Sequence, residues 1–250
     1  MPKWTAKIFI TEAQNMTNEI DILALAGRLA PIMAASLLGR SHNGYDYDRL
    51  GEVAASIDSS NFAVENFKRA MRFPTDEALL RHAVTTARTD GLFLEFGVAS
   101  GRTLRIIADA HAGKVYGFDG FNGLPEDWRP GYPAGSFAQQ PPEIPENAEL
   151  VIGWFDKTLP HFVVHHQKPV SFLHIDCDLY SSTKTILHWL KDAIVPGTVI
   201  VFDEFLNYPG WRAHEYKAWN EFVAQQSLNF SYVGCVPSHQ QVAVLVEAAK

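Results

Sequence analysis

From Gly91 onward, apolar runs rich in β-forming residues alternate with stretches of helical spacing. That alternation restricts the fold more than any other feature, because strands separated by helices bury both faces of a parallel sheet. The strand candidates are 92–97, 114–119, 148–155, 170–177, 198–205, 230–235 and 241–248. Helix candidates lie between them at 101–112, 157–166, 181–194 and 212–226. The last two strands have no helix between them, so they should form an antiparallel hairpin.

The expected fold is therefore α/β, a Rossmann-like doubly wound sheet of seven strands, mostly parallel with a C-terminal antiparallel hairpin. Before Gly91 the chain looks helical, which adds an N-terminal helical layer. "NFAVENFKRAMRF" (61–73) places Phe62, Phe67, Ala70 and Met71 at helical spacing. "TDEALLRHAVTTA" (75–87) follows Pro74, and Thr75 is its expected N-cap. The stretch from Ile20 to Gly39 is broken by Gly27, Arg28 and Pro31, so it reads as an amphipathic helix, not a signal or a membrane span. The expected division is 1–90, a helical extension on the substrate or oligomer side, and 91–250, the ligand-binding domain.

A net charge of −7 with no basic run argues against a nucleic-acid partner. Two cysteines, Cys177 and Cys235, are too few for a disulfide scaffold, so a cytoplasmic, reducing location is expected. The expected partners are a small-molecule acceptor and further copies of the chain in a homo-oligomer, with no membrane.

"LEFGVASG" joins the first sheet strand to its helix. Ligands of open parallel sheets bind beyond the carboxyl ends of the strands. Gly97 and Gly101 let the backbone approach a ligand, and the helix that starts there offers free N–H groups. The spacing departs from the Gly-x-Gly-x-x-Gly of dinucleotide binders, and the acidic Glu95 would repel a pyrophosphate. A cationic amino group suits Glu95 instead. Asp119, at the end of the second strand, is placed to accept from ribose hydroxyls. Trp154 and Phe155 are candidates to flank an adenine, although aromatic residues at a strand end are as commonly core. Adenosine joined to a cationic amino acid without phosphate is S-adenosylmethionine. Ser100, Gly120 and Phe121 complete the expected cofactor set, with Asp176 beneath the transferred group. The segment 120–147 carries six prolines and four glycines and no sustained period, which suits a loop that closes over a ligand.

The sheet's acidic edge is the second signal. "SFLHIDCDLYSST" (171–183) runs from core into charge. Alternation would put His174, Asp176 and Asp178 on one face of a regular strand. Asp178 is also a candidate cap for the helix opening at Ser181. His174, Asp176 and His214 are the candidate catalytic residues, although His214 in "WRAHEYKAW" also suits a helix surface. Cys177 has no partner that would make it a nucleophile. "NGYDYD" (43–48) suits either a plain turn or part of an acceptor pocket.

Taken in order, "LEFGVASG", "FDGFNGLPEDW", "GWFDKTLP", "HIDCDLYSST" and "PGTVIVFDEF" resemble class I S-adenosylmethionine-dependent methyltransferases. More narrowly they resemble the macrocin O-methyltransferase family, which methylates sugar hydroxyls in antibiotic biosynthesis. The resemblance covers about residues 90 to 220. It implies a magnesium ion held by Asp176, Asp203 and Glu204, with Glu204 standing where the family more often has aspartate. It implies transfer of a methyl group to a hydroxyl of a sugar or another natural product. Magnesium takes oxygen ligands and lowers the pKa of a bound hydroxyl. Three alternatives stand beside this reading. One is a metal-independent methyltransferase with Asp176 or a histidine as base, in which Asp203 and Glu204 cap backbone or pair with Arg212. The others are a nicotinamide-dependent oxidoreductase and a non-catalytic interaction module.

Overall fold

The computed structural model describes residues 28, 30–33, 35–36, 39–41 and 44–248. Its contacts divide the chain into two units, Met1–Ala54 and Ala55–Lys250. Much of the helix expected at Ile20–Gly39 lies outside the described residues, and residues 28, 30–33 and 35–36 within it are helical. In the first unit, β1 (Arg40–Ser41) pairs antiparallel with β2 (Gly44–Tyr45). Asp46 Oδ1 then accepts from the backbone N–H groups of Asp48 and Arg49 and opens α1 (Tyr47–Asn66). Of "NGYDYD" (43–48), Asn43 lies outside the described residues, and the rest forms β2 and the start of α1, not a plain turn. Among the described residues no helix is long and apolar enough to cross a membrane.

The second unit is built on one eight-stranded sheet. Its strands are β3 (Met71–Arg72), β4 (Leu92–Phe96), β5 (Val115–Asp119), β6 (Ala148–Ile152), β7 (Val170–Ile175), β8 (Ile194–Phe202), β9 (Asn229–Cys235) and β10 (Val242–Glu247). The spatial order is β3-β9-β10-β8-β7-β4-β5-β6. β10 inserts between β8 and β9 and is antiparallel to both, while the other pairings are parallel. The doubly wound parallel sheet and its C-terminal hairpin are as expected, and β3 is the addition.

Every residue of β4 and β7 is buried, as in central parallel strands covered on both faces. Alternate residues serve opposite faces. Leu94, Phe96, Leu173, Ile175, Ile200 and Phe202 pack beneath α4 (Phe155–His165), α5 (Tyr180–Leu190) and α6 (Glu215–Gln226). Phe93, Val115, Phe172, Val199 and Val201 pack beneath α2 (Asp76–Thr86) and α3 (Arg102–Ala110). As expected, Thr75 caps α2, its hydroxyl accepting from Ala78 N–H at 3.2 Å.

The helix expected over 61–73 is displaced. α1 ends at Asn66, and Phe67 and Ala70 enter the core from irregular backbone before β3. Pro74 disfavours helical backbone at Phe73, and Met71–Arg72 instead pairs with Gly234–Cys235 of β9. Phe62, Phe67 and Ala70 are buried as their spacing implied, whereas Met71 on β3 is exposed. Likewise the strand expected over 148–155 stops at Ile152. Gly153 takes φ +142, and Trp154 becomes the N-cap of α4.

Candidate functional site

The carboxyl ends of β4 to β8 form one edge, and hydrogen bonds beyond the strands hold its functional residues in register. Gly97 N–H donates to the Phe118 carbonyl, Asp176 N–H to Phe96, Gly153 N–H to Asp119 and Asp203 N–H to Ile175, each at 2.9 Å. Gly97 takes φ +94, and a Cβ there would overlap the Asp176 carbonyl. The glycine of the first motif thus lets the backbone of the second lie against it. Above this edge is a cavity of about 690 Å³, within the roughly 300–1,000 Å³ of small-molecule sites.

Asp119 organises the turn at the cavity floor. Its Oδ2 accepts from Val98 and Ala99 N–H at 2.9 Å, and its Oδ1 from Phe121 N–H at 2.7 Å. A carboxylate has about four acceptor sites, so capacity remains for a ligand hydroxyl. Gly97, Asp119, Gly120, Trp154 and Phe155 line the cavity, with Trp154 40% exposed. Trp154 lies over Gly120, and Phe155 packs edge-on against Phe96 at 5.2 Å. Ser100, Gly101 and Phe121 fall outside the lining. Gly101 is the left-handed N-cap of α3, Ser100 is exposed and uses its carbonyl to accept from Arg105, and Phe121 turns into the core.

Glu95 is fully buried and faces His174 on the neighbouring strand, with His174 Nδ1 donating to Glu95 Oε1 at 3.0 Å. It does not line the cavity, so direct contact with a cationic amino group is not its position in this structure. On the other side His174 Nε2 lies 3.7 Å from Asp203 Oδ1, an ion-pair distance too long for a hydrogen bond. Burial alone would lower the His174 pKa, but Asp203 and Glu95 together raise it to about 10. The imidazolium is thus clamped between two carboxylates.

Around it the acids crowd. Burial and then the Asp203 charge push Asp176 and Glu204 well above the ordinary carboxylate range. The same two causes push Asp178 up to about 7. Burial would raise Asp203 too, but His174 and the Gln241 amide, which donates at 3.1 Å, hold it low. Glu204 Oε2 and Glu95 Oε2 are buried without a hydrogen-bond partner. Glu215, also fully buried, accepts from Glu204 N–H at 3.0 Å and keeps Oε1 unpartnered. Among the described residues, His174, Asp176 and Asp203 offer ligand atoms within 4.8 Å of one another. Glu204 lines the cavity beside them but falls outside that group. One protonated histidine against this many carboxylates leaves an excess of buried acceptors that a divalent cation would satisfy.

Three sequence readings change here. Asp178 does not cap α5, whose N-cap is Leu179 with no side-chain bond. Its backbone turns left-handed at φ +62 because the strand has ended at Ile175, and it lines the cavity instead. Arg212 pairs with Asp58 through two bonds of 2.9 Å, not with Asp203 or Glu204. His214 is the half-buried N-cap of α6, outside the cavity lining, with Nδ1 2.9 Å from the Tyr208 hydroxyl.

Within the segment 120–147, residues from Gly120 to Phe137 supply one side of the cavity. The segment pairs with itself: Leu124 N–H donates to Ser136, Gly135 N–H to Leu124 and Trp128 N–H to Tyr132, and Arg129 and Tyr132 form a small antiparallel bridge. Gly123 is required at φ +77 because a Cβ would strike the Gly135 and Ser136 carbonyls. Leu124, Pro125, Trp128, Arg129, Tyr132 and Phe137 line the cavity from this side. Sequence reading missed them individually. Their available signal was three aromatic rings and an arginine inside an otherwise structureless proline-rich stretch.

Residues 94–205 match the model of a family described as a methyltransferase domain. No curated protein matches the chain. Among solved structures, the fold is similar to CalS11, a calicheamicin methyltransferase, at 22% identity and TM-score 0.56, over 69% of this chain and 77% of that one. It is also similar to the O-methyltransferase NovP at 21% identity and TM-score 0.53, over 69% of this chain and 79% of that one.

Proposed function

Because residues 94–205 match the model of a methyltransferase domain, we propose that the chain moves a methyl group from S-adenosylmethionine to a hydroxyl of a small acceptor, assisted by magnesium. The observation that carries this reading is one cavity joining two sets of groups. Asp119 and Trp154 line it at the β5–β6 end and Asp176 and Glu204 at the β7–β8 end, with Asp203 behind the lining beside Asp176 and His174. The first set suits a nucleoside and the second suits a cation with a hydroxyl. The likeness to the O-methyltransferase NovP and to CalS11, a calicheamicin methyltransferase, supports oxygen as the acceptor atom and a small natural product as its carrier.

S-adenosylmethionine supplies an electrophilic methyl on a sulfonium. Magnesium held by Asp176, Asp203 and Glu204 would supply Lewis acidity toward the acceptor hydroxyl. The chain's own part is placement. Asp119 accepts from ribose hydroxyls, Trp154 and Phe155 flank the base, and the Gly97 turn admits the amino-acid part. The 120–147 segment would shield the bound groups from water, so that the hydroxyl and the methyl meet in line. Glu95 acts through His174, holding the ring that faces Asp203. The two buried, unpaired cysteines support a cytoplasmic location.

A second reading dispenses with the ion. The His174 imidazolium then serves as counter-charge, and Asp176, its pKa raised by burial and Asp203, takes the hydroxyl proton. Calorimetric titration with S-adenosylmethionine tests the common part. The wild type should bind, and Asp119→Ala should not while keeping its near-UV circular dichroism. Equal binding by both proteins would overturn the cofactor assignment. Turnover abolished by chelator and restored by magnesium selects the first reading, and turnover untouched by chelator selects the second.

A further inference from the structure

Arg129 is the cavity's uncommitted cation. Of the lining residues only Arg129 and Lys157 carry a positive side chain, and Lys157 already sits 2.9 Å from Asp156. Arg129 stands instead against three aromatic faces, its guanidinium carbon 4.0 Å from the ring centre of Trp128, 4.9 Å from Tyr208 and 5.0 Å from Tyr132. Among the described residues its side chain makes no hydrogen bond and no ion pair, and its Nε is buried without a partner. A guanidinium in a field of carboxylates ordinarily bonds one of them. Here cation–π contacts hold the group by its faces and leave the N–H donors on its edges unused.

The position of this group tells which ligand it serves. Tyr208, which it touches, follows β8, and its neighbour Trp128 packs against Tyr208 at 6.0 Å and His214 at 6.3 Å between ring centres. The groups proposed for the nucleoside follow β5 and β6, on the far side of β4 in the sheet. Neighbouring strands lie about 4.8 Å apart, so β8 and β5 are separated by roughly 14 Å. Arg129 therefore stands over the acceptor end.

We propose that Arg129 binds an anionic oxygen group, a carboxylate or a phosphate, on the methyl acceptor. This rests on the methyltransferase reading above and adds the acceptor's chemical class to it. Planar guanidinium matches both anions through paired N–H···O bonds, and the aromatic faces fix its plane in advance of binding. An acceptor charged at one end and bearing hydroxyls at the other would enter in one orientation, with its anion at Arg129 and its hydroxyl toward Asp176 and Asp203. A carboxylate can also come from the cofactor's amino-acid part, and the experiment separates the two sources.

The full-length protein, saturated with S-adenosylhomocysteine, is titrated with glucose 1-phosphate, glucuronate and methyl glucoside. At least one anionic probe should bind roughly tenfold or more tightly than the neutral one, the scale of a charge-assisted bond. Arg129→Gln should erase that difference while binding S-adenosylhomocysteine within about twofold of wild type, and Arg129→Lys should keep part of it. Failure of both anionic probes to exceed the neutral one, or a preference unchanged in Arg129→Gln, overturns the proposal. So does an Arg129→Gln protein that loses S-adenosylhomocysteine instead, because the arginine then serves the cofactor. If the wild type binds no S-adenosylhomocysteine, the methyltransferase reading itself has failed, a separate result.

Discussion

Glu95 and His174, paired across β4 and β7, meet at 3.0 Å with neither side chain exposed to solvent. Asp203 faces the other edge of the same imidazole at 3.7 Å. The pair is what lets so many acids collect at one edge, because it buries one positive charge among them.

Replacing Glu95 with Gln should therefore weaken the fold more than the site. Removing one partner of a buried ion pair costs about 3 kcal/mol or more. Urea denaturation of the ligand-free protein reads this directly, and a loss under about 1 kcal/mol would show that His174 is not held as a cation.

Magnesium should stabilise the protein if the carboxylates hold it. At a concentration about a hundred times the dissociation constant the gain is roughly 2.7 kcal/mol. Asp203→Asn should lose that gain. Melting curves with magnesium and with chelator that superimpose in the wild type would remove the ion from the site.

Gly97→Ala tests the junction of the two motifs. The left-handed backbone and the overlap with the Asp176 carbonyl leave a Cβ no room to relax. The variant should melt far below wild type or fail to accumulate in soluble form. A normal melting temperature would mean that β4 and β7 part more easily than their bonding implies.

Trp154→Ala should weaken S-adenosylmethionine binding by roughly two- to twelvefold, corresponding to about 0.5–1.5 kcal/mol for one aromatic stack. The fold should be little affected, since Trp154 is well exposed. Equilibrium dialysis with labelled cofactor measures it, and unchanged affinity would reassign the base to another surface.

His111 lies far from these acids in sequence, stacked on Phe93 at 3.5 Å, and burial lowers its pKa below the ordinary 6.5. A depressed pKa contributes stability that is present above pH 6.5, where both states are neutral. Below it the unfolded chain takes the proton first, so the contribution falls away until the folded pKa is passed. His111→Phe should flatten this part of the stability curve between about pH 7.5 and 5, measured by urea denaturation. An unchanged slope would assign the acid sensitivity to other groups.

Much of the architecture was legible because a buried parallel sheet writes itself locally. β4, β5, β7 and β9 lie close to the apolar runs that announced them, and Thr75 caps its helix by a rule spanning four residues. Where local spacing had two meanings it misled. Phe62, Phe67 and Ala70 repeat like a helix yet are buried from two kinds of backbone, because Pro74 and a distant β9 decide where α1 stops.

The site divides the same way. Asp119, Asp176 and Asp203 could be placed from sequence because carboxylates that end strands of one parallel sheet must share its carboxyl edge. That Glu95 would turn inward to His174, that Asp178 would face the cavity, and that Arg129 would stand free against three rings followed from no local pattern. Each depends on groups brought together from distant parts of the chain. The sequence determined which strands and charges reach the edge. Only tertiary packing decided which charges neutralise one another and which are left for a ligand, because burial and separation set those balances.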